Sequence, residues 1–241
     1  MSLVIHTVVR DGIVVSADTR TTCKDSNGHT RYDDSAEKII PFPNYIVVSH
    51  CGDSNVTDSL TVTEFLCKIR KSFGKKATIS DLPLKILNEY IKSGGKGDTT
   101  FKISGYYECI HASTYTINTA KSTITLSTEP CKYGASYNGI TDVAHSIMNS
   151  GINYSNLSIA DAIDLTRLCV ETNIKVFSYH NEQSIGGVCQ TYVIDMLHDN
   201  VGWIQSDGTI VPDKNAPNDA LEQYRNIQIE KMRKQILKER N

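Results

Sequence analysis

The sequence holds no long apolar run. Stretches such as Gly12-Ile13-Val14-Val15 end after four or five residues, against the roughly 20 that a membrane-spanning helix needs. The N-terminus has no basic segment leading into an apolar one, so no secretion signal is visible, and a cytoplasmic location is expected. An excess of one charge is also missing: 25 Lys and Arg stand against 27 Asp and Glu, for a net −2. Without a basic stripe, neither a nucleic acid nor an anionic membrane is expected as a partner. The seven cysteines are Cys23, Cys51, Cys67, Cys109, Cys131, Cys169 and Cys189, with no C-x-x-C pair. An odd, scattered set excludes a disulfide framework and reads as thiols in a reducing compartment. The seven histidines are equally dispersed, with no H-E-x-x-H, so no metal and no cofactor is expected. A phosphate-binding Gly-Lys-Ser/Thr loop is lacking, so any ATPase serving this chain is a separate one.

What is present is a foldable globular composition, 39% hydrophobic and 22% charged over 241 residues. A chain this long buries roughly 70–75% of its unfolded surface, so it needs no metal or disulfide staple. Residues 3–9 and 13–17 are β-rich and flank Arg10-Asp11-Gly12, a short hairpin signal. Residues 21–37 read as a polar loop with an edge strand near Thr30–Tyr32, followed by strands at Ile39–Phe42 and Tyr45–Cys51. The period then changes. Val62, Phe65, Leu66, Ile69 and Phe73 recur at helical spacing, and after Gly74 a second helix is expected over about 80–93. Strands are expected over 99–107, 109–117 and 121–128. A third helix begins near Gly139 and carries Ile140, Val143, Ala144, Ile147 and Met148 on one face. A fourth begins at Ser158, with Asp161 in a capping-box position. The last strands fall near 188–195 and 200–205. No repeat or composition shift divides the chain, so residues 1–210 are expected to form a single domain and 211–241 a charged helical tail. That tail places Leu221, Tyr224, Met232 and Ile236 on one side, a face that could dock on a neighbouring subunit. Helix pairs that each follow a β-meander imply an α+β fold, two antiparallel sheets covered by helices.

The chemistry centres on Ser2. Removal of Met1 would put a hydroxyl and a free α-amine on one residue, and an α-amine titrates near 7.7–8.0, against about 10.4 for lysine. It is thus a usable general base at neutral pH. Met-Ser alone is a common beginning and carries little. The segment Asp11-Gly12-Ile13-Val14-Val15-Ser16-Ala17-Asp18-Thr19-Arg20 carries more. It resembles the signature of proteasome β-type subunits, which are N-terminal-nucleophile (Ntn) hydrolases and whose nucleophile lies 16 residues before the aspartate. Here 18 − 16 gives Ser2. Lys38-Ile39-Ile40-Pro41-Phe42 and Tyr45-Ile46-Val47-Val48 resemble the lysine, strand, turn and strand that follow. Lys132-Tyr133-Gly134-Ala135-Ser136 resembles the family's IGSGS turn, and Ser184-Ile185-Gly186-Gly187 its late S-x-GG segment.

The resemblance, spanning roughly 2–205, implies a four-layer αββα sandwich. It implies a threonine-peptidase-like enzyme with Ser2 as nucleophile, Lys38 as the catalytic lysine, Asp18 as its partner and Gly52 as the oxyanion donor. It implies a peptide or other amide substrate, assembly into a homo-oligomer such as a ring, and a separate ATPase. Structural alternatives exist for each residue: an Asp18–Arg20 salt bridge, a surface lysine at a strand start, and ordinary turn chemistry at Gly52. The departures are a serine for the usual threonine, Ala135 where the family has a serine, and Asn181-Glu182 where it has an aspartate. They point to a divergent bacterial proteasome-like protein. The beginning of the chain next to the nucleophile, with no preceding helix, favours a β-like subunit. The rival readings are a catalytically inactive proteasome-like scaffold and a small-amide amidohydrolase of the same superfamily.

Overall fold

The structure, a computed structural model, describes residues 2–24, 27–73, 78–107, 111–180, 184–198 and 200–213, and in the tail 230, 233–234 and 236–238. Its strands are β1 (Leu3–Val9), β2 (Gly12–Asp18), β3 (Thr21–Lys24), β4 (Thr30–Asp33), β5 (Ile39–Phe42), β6 (Ile46–Gly52), β7 (Asn55–Thr57) and β8 (Leu60–Thr61). After α1 (Val62–Phe73) and α2 (Leu82–Lys92) come β9 (Thr99–Tyr107), β10 (His111–Asn118), β11 (Thr123–Thr128) and β12 (Gly134–Gly139). Then follow α3 (Asp142–Met148), α4 (Ile159–Phe177), β13 (Cys189–Asp195), β14 (Asn200–Ile204) and β15 (Ile210–Pro212). A six-stranded sheet runs β12-β1-β2-β13-β14-β15 and a five-stranded sheet β11-β10-β9-β6-β5. Every neighbouring pair in both is antiparallel.

The continuous apolar character of the first strands follows from where their two faces point. Successive side chains alternate sides, yet β1 and β2 are buried at every residue. Leu3 and Ile5 of β1 join a core cluster with Ala144, Met148, Cys169 and Val170 of α3 and α4. Val4 and Val8 join Val15, Val47, Tyr106 and Tyr192 in a cluster fed by both sheets. A third cluster packs α1 and α2 through Phe65, Leu66, Ile86 and Tyr90 onto Ile40, Val48, Phe101 and Ile103 of the five-stranded sheet. Burying one such Leu, Ile or Phe is worth roughly 1.5–3 kcal/mol, so these three clusters dominate the fold's stability. The α4 start is a full capping box: Asp161 N donates to Ser158 Oγ at 3.2 Å and Ser158 N donates to Asp161 Oδ2 at 2.9 Å.

Several elements differ from the sequence reading. Residues 134–136, read as the end of the turn before the third helix, and the residues on to Gly139 form β12 along β1, from Val8↔Gly134 to Leu3↔Gly139. The helix starts only at Asp142. A buried strand cannot leave one edge of N–H and C=O groups without partners, and β12 supplies them to β1. Thr21–Lys24, read as loop, pairs with β4. β15 adds an edge strand that straddles residue 210, and β7 and β8 make a small ribbon. In the tail, Leu221, Tyr224 and Met232 lie outside the described residues, as do Gly74, Cys109, Asn181 and Glu182. Ile236 is buried in the cluster with Met196, and Arg233 Nε donates to Met196 O at 3.3 Å. This part of the tail docks on its own chain.

Candidate active site

The β1–β2 hairpin brings residues 2 and 18 together, because Val4 pairs with Ala17. Leu3 N donates to Asp18 Oδ1 at 2.9 Å, and on the other side Ile140 N donates to Ser2 O at 3.0 Å. The backbone on both sides of Ser2 is therefore held. Ser2 itself is 6% exposed.

Lys38 stands just before β5, 2% exposed. Its Nζ donates to Asp18 Oδ1 at 2.8 Å and to Arg20 O at 2.6 Å. The second carboxylate oxygen of Asp18 accepts from Arg20 N at 3.2 Å and Gly186 N at 3.3 Å. Burial pushes the lysine pKa down, and the charge and hydrogen bond of Asp18 oppose that. Removing one member of such a buried pair typically costs 3–5 kcal/mol, since the other charge is left uncompensated. The Arg20 guanidinium pairs instead with Asp34, at 2.6 Å and 2.7 Å, and lies 4.9 Å from the centre of the Tyr32 ring. Asp18 thus pairs with Lys38, and Lys38 is not a surface lysine.

Ser2, Lys38 and Gly52 line one cavity of about 320 Å³, together with Thr21, Thr22, His50, Asp53, Ser54 and Asp98. Asp18 lies behind Lys38. Gly52 ends β6 at φ +98°, and a Cβ there would sit 2.1 Å from Asp98 O. Glycine is needed for that backbone approach as well as for a left-handed φ. His50 packs its Nε2 3.3 Å from Glu37 O, and burial takes its pKa down to about 4, leaving the ring neutral. In the Ser184–Gly187 segment, a Cβ on Gly186 would meet the Arg20 guanidinium at 2.3 Å. Ser184 Oγ is buried without a partner among the described residues. Ala135, matched from the sequence to a residue near the nucleophile, pairs with Thr7, and Asn138-Gly139-Ile140 flanks Ser2 instead.

Of the sequence-derived residues, Ser2, Asp18, Lys38 and Gly52 all converge here. His50, Asp53 and Asp98 were missed, although Asp53 directly follows Gly52. Among the described residues, no three His, Cys, Asp or Glu gather as they would to hold a metal, and no helix is long and apolar enough to cross a membrane.

Comparison with solved structures bears on the fold. Anbu (ancestral beta-subunit) from Yersinia bercovieri matches with a TM-score of 0.62 at 10% identity, over 98% of this chain and 95% of that one. The fold is proteasome-like. The helical assembly of the Anbu complex from Pseudomonas aeruginosa gives 0.61 at 13% identity, covering 98% and 96%. An Anbu (Gly-1) mutant from Hyphomicrobium sp. strain MC1 gives 0.60 at 12%, covering 99% and 96%. No protein-family profile matches the sequence, and no curated protein does. At these identities the Anbu structures speak for the fold, and function rests on the site.

Proposed function

We propose that this chain is a proteasome-like Ntn hydrolase that cleaves amide bonds, chiefly peptide bonds, with Ser2 as nucleophile after loss of Met1. The observation that carries the reading is the meeting of Ser2, Lys38 and Gly52 in one cavity, with Asp18 joining Lys38 to the backbone beside Ser2.

In the proposed reaction the Ser2 hydroxyl adds to the carbonyl carbon, and its proton passes to the α-amine of the same residue, through a water. The Lys38 cation favours the alkoxide and keeps the amine neutral. The Gly52 N–H faces the developing oxyanion, a donor typically worth about 3–4 kcal/mol of barrier. The carbon–nitrogen bond then breaks, the leaving amine takes the proton, and an ester to Ser2 remains. Water hydrolyses that ester by the same route. The orphaned Ser184 hydroxyl, two residues before the glycine bound to Asp18, is suited to receive the α-amine.

The same reading makes the helix-covered sheets a four-layer αββα sandwich spanning residues 1–210, with the tail as an appendage. It places the chain in a reducing cytoplasm, in keeping with the free cysteines among the described residues. It also makes the chain a homo-oligomer, fed with substrate by a separate ATPase. Head-to-tail contacts close into a ring or continue as a helix, and the Anbu complex from Pseudomonas aeruginosa is a helical assembly.

A noncatalytic scaffold is the second reading. It is favoured by Ile140, which brings an apolar side chain to the strand end that flanks Ser2. The deciding experiment follows amide release from a panel of peptides and acyl amides by chain shown to begin at Ser2. The hydrolase reading predicts turnover that Ser2→Ala lowers at least about a thousandfold. Turnover unchanged in Ser2→Ala, or none with any substrate, overturns it.

A further inference from the structure

The cavity beside Ser2 is not electrically neutral. Lys38, the one cationic side chain of its described lining, is committed to Asp18 at 2.8 Å. His50 is buried and uncharged at neutral pH. The remaining ionisable side chains of the described lining are two carboxylates, Asp53 and Asp98, against which the α-amine freed at Ser2 sets at most one positive charge. They are held as a unit. Asp98 N donates to Asp53 Oδ2 at 2.7 Å, and Asp53 N donates to Asp98 O at 3.1 Å. Both side chains are exposed at the cavity mouth. The volume, about 320 Å³, falls in the range of roughly 300–1,000 Å³ typical of small-molecule sites. Ser2, 6% exposed, lines it, and Thr22 Oγ1 in the same lining is buried without a partner, a polar atom that only a ligand or solvent could satisfy.

We infer that this cavity selects amide substrates carrying a basic side chain, lysine or arginine, next to the attacked carbonyl, and that Asp53 and Asp98 set that preference. The inference deepens the hydrolase reading and rests on it, because Ser2 defines which bond is attacked. Like charges would be rejected at the same mouth, so an acidic side chain in that position is disfavoured. The effect is modest for each group, since an exposed ion pair changes an equilibrium by roughly 1.5- to 5-fold. Two carboxylates together give about a tenfold preference.

Binding, measured without turnover, separates this claim from the catalytic one. Two peptides are titrated calorimetrically into the full-length Ser2→Ala chain, one with arginine before the scissile bond and one with norleucine. The arginine peptide is expected to bind about tenfold tighter. That preference should shrink as salt rises from about 0.05 M to about 0.5 M, because the carboxylates are exposed and screened. Asp53→Asn retains an oxygen acceptor for Asp98 N and Asp98→Asn is at the surface, so both variants should fold. Each should lose part of the preference and the double variant all of it. Equal affinities, tighter binding of norleucine, no binding of either peptide, or a preference that survives in the double variant would each overturn the inference. An arginine preference alongside a wild-type chain that cleaves nothing would leave the cavity assignment standing and remove the hydrolase reading instead.

Discussion

Among the described residues two lysines are buried at the five-stranded sheet, one just before β5 and one on β9 with β6 between them, and they are treated differently. Lys38, beside Ser2, meets a carboxylate and a carbonyl, and Asp18 in turn is fixed by three backbone N–H groups. Lys102 of β9, 1% exposed, meets hydroxyls: its Nζ donates to Thr116 Oγ1 at 2.9 Å and to Ser136 Oγ at 2.5 Å. Burial takes the Lys102 pKa down to about 8. Near it His6 is held between Ser104 Oγ at 2.6 Å and Ser49 Oγ at 2.7 Å, and burial, with Lys102 second, keeps its pKa well below the usual imidazole range. A carboxylate makes a buried cation a fixed feature of the fold. Hydroxyls alone leave a cation that gives up its proton readily.

The largest effect should come from breaking the compensated pair. Asp18→Ala leaves Lys38 buried without its counter-ion and three N–H groups without an acceptor, and should lower unfolding free energy in urea by about 3–5 kcal/mol. If Lys38→Met in the same background recovers much of that loss, the uncompensated charge is the cause.

Lys102 sharpens the contrast through pH. Its folded pKa, about 8, lies below the roughly 10.4 of an unfolded lysine. Between those values the unfolded chain holds more protons, so stability rises with pH, by up to about 3 kcal/mol. His50, at about 4 against roughly 6.5 unfolded, gives the same sign on the acid side, with stability falling as pH drops from about 6.5 to 4. Urea midpoints against pH should show the acid limb directly, and the alkaline term as the difference between wild type and Lys102→Met, because the buried Cys51, Cys169 and Cys189 thiols, pushed up to about 11, act with the opposite sign over the same range.

Gly52→Ala is a smaller perturbation of the cavity wall. It puts a Cβ against Asp98 O at positive φ, and should cost about 1–3 kcal/mol by urea unfolding. Arg20→Ala should matter least. Its partner Asp34 is nearly half exposed, so a shift below about 1 kcal/mol is expected in the same assay.

The same contrast explains how far the sequence could be read. Ser2, Asp18, Lys38 and Gly52 were picked out by the resemblance to proteasome β-type subunits, whose motifs fall in the same order along this chain, and the hairpin and short strands bring these four positions close together. The helices were legible from stripes such as Phe65, Leu66 and Ile69. Lys102 was not, because a lysine between Phe101 and Ile103 looks like the solvent face of an alternating strand. Only a second sheet on that face buries it. β12 was hidden for a related reason. Its residues Gly134–Gly139 carry few strand signals, and they are extended because β1 needs an edge partner. Asp98 reaches the cavity through the β6–β9 pairing, a contact between segments 46 positions apart that no local pattern announces.

The central claim concerns residue 2, and an inhibitor that needs both its groups tests it most directly. A peptide epoxyketone reacts with a hydroxyl and an α-amine on the same residue. After incubation, intact mass should show a chain beginning at Ser2 that has gained one inhibitor, with no gain in Ser2→Ala. A chain that begins at Ser2 and stays unlabelled, or a Ser2→Ala chain that labels equally well, would contradict the account.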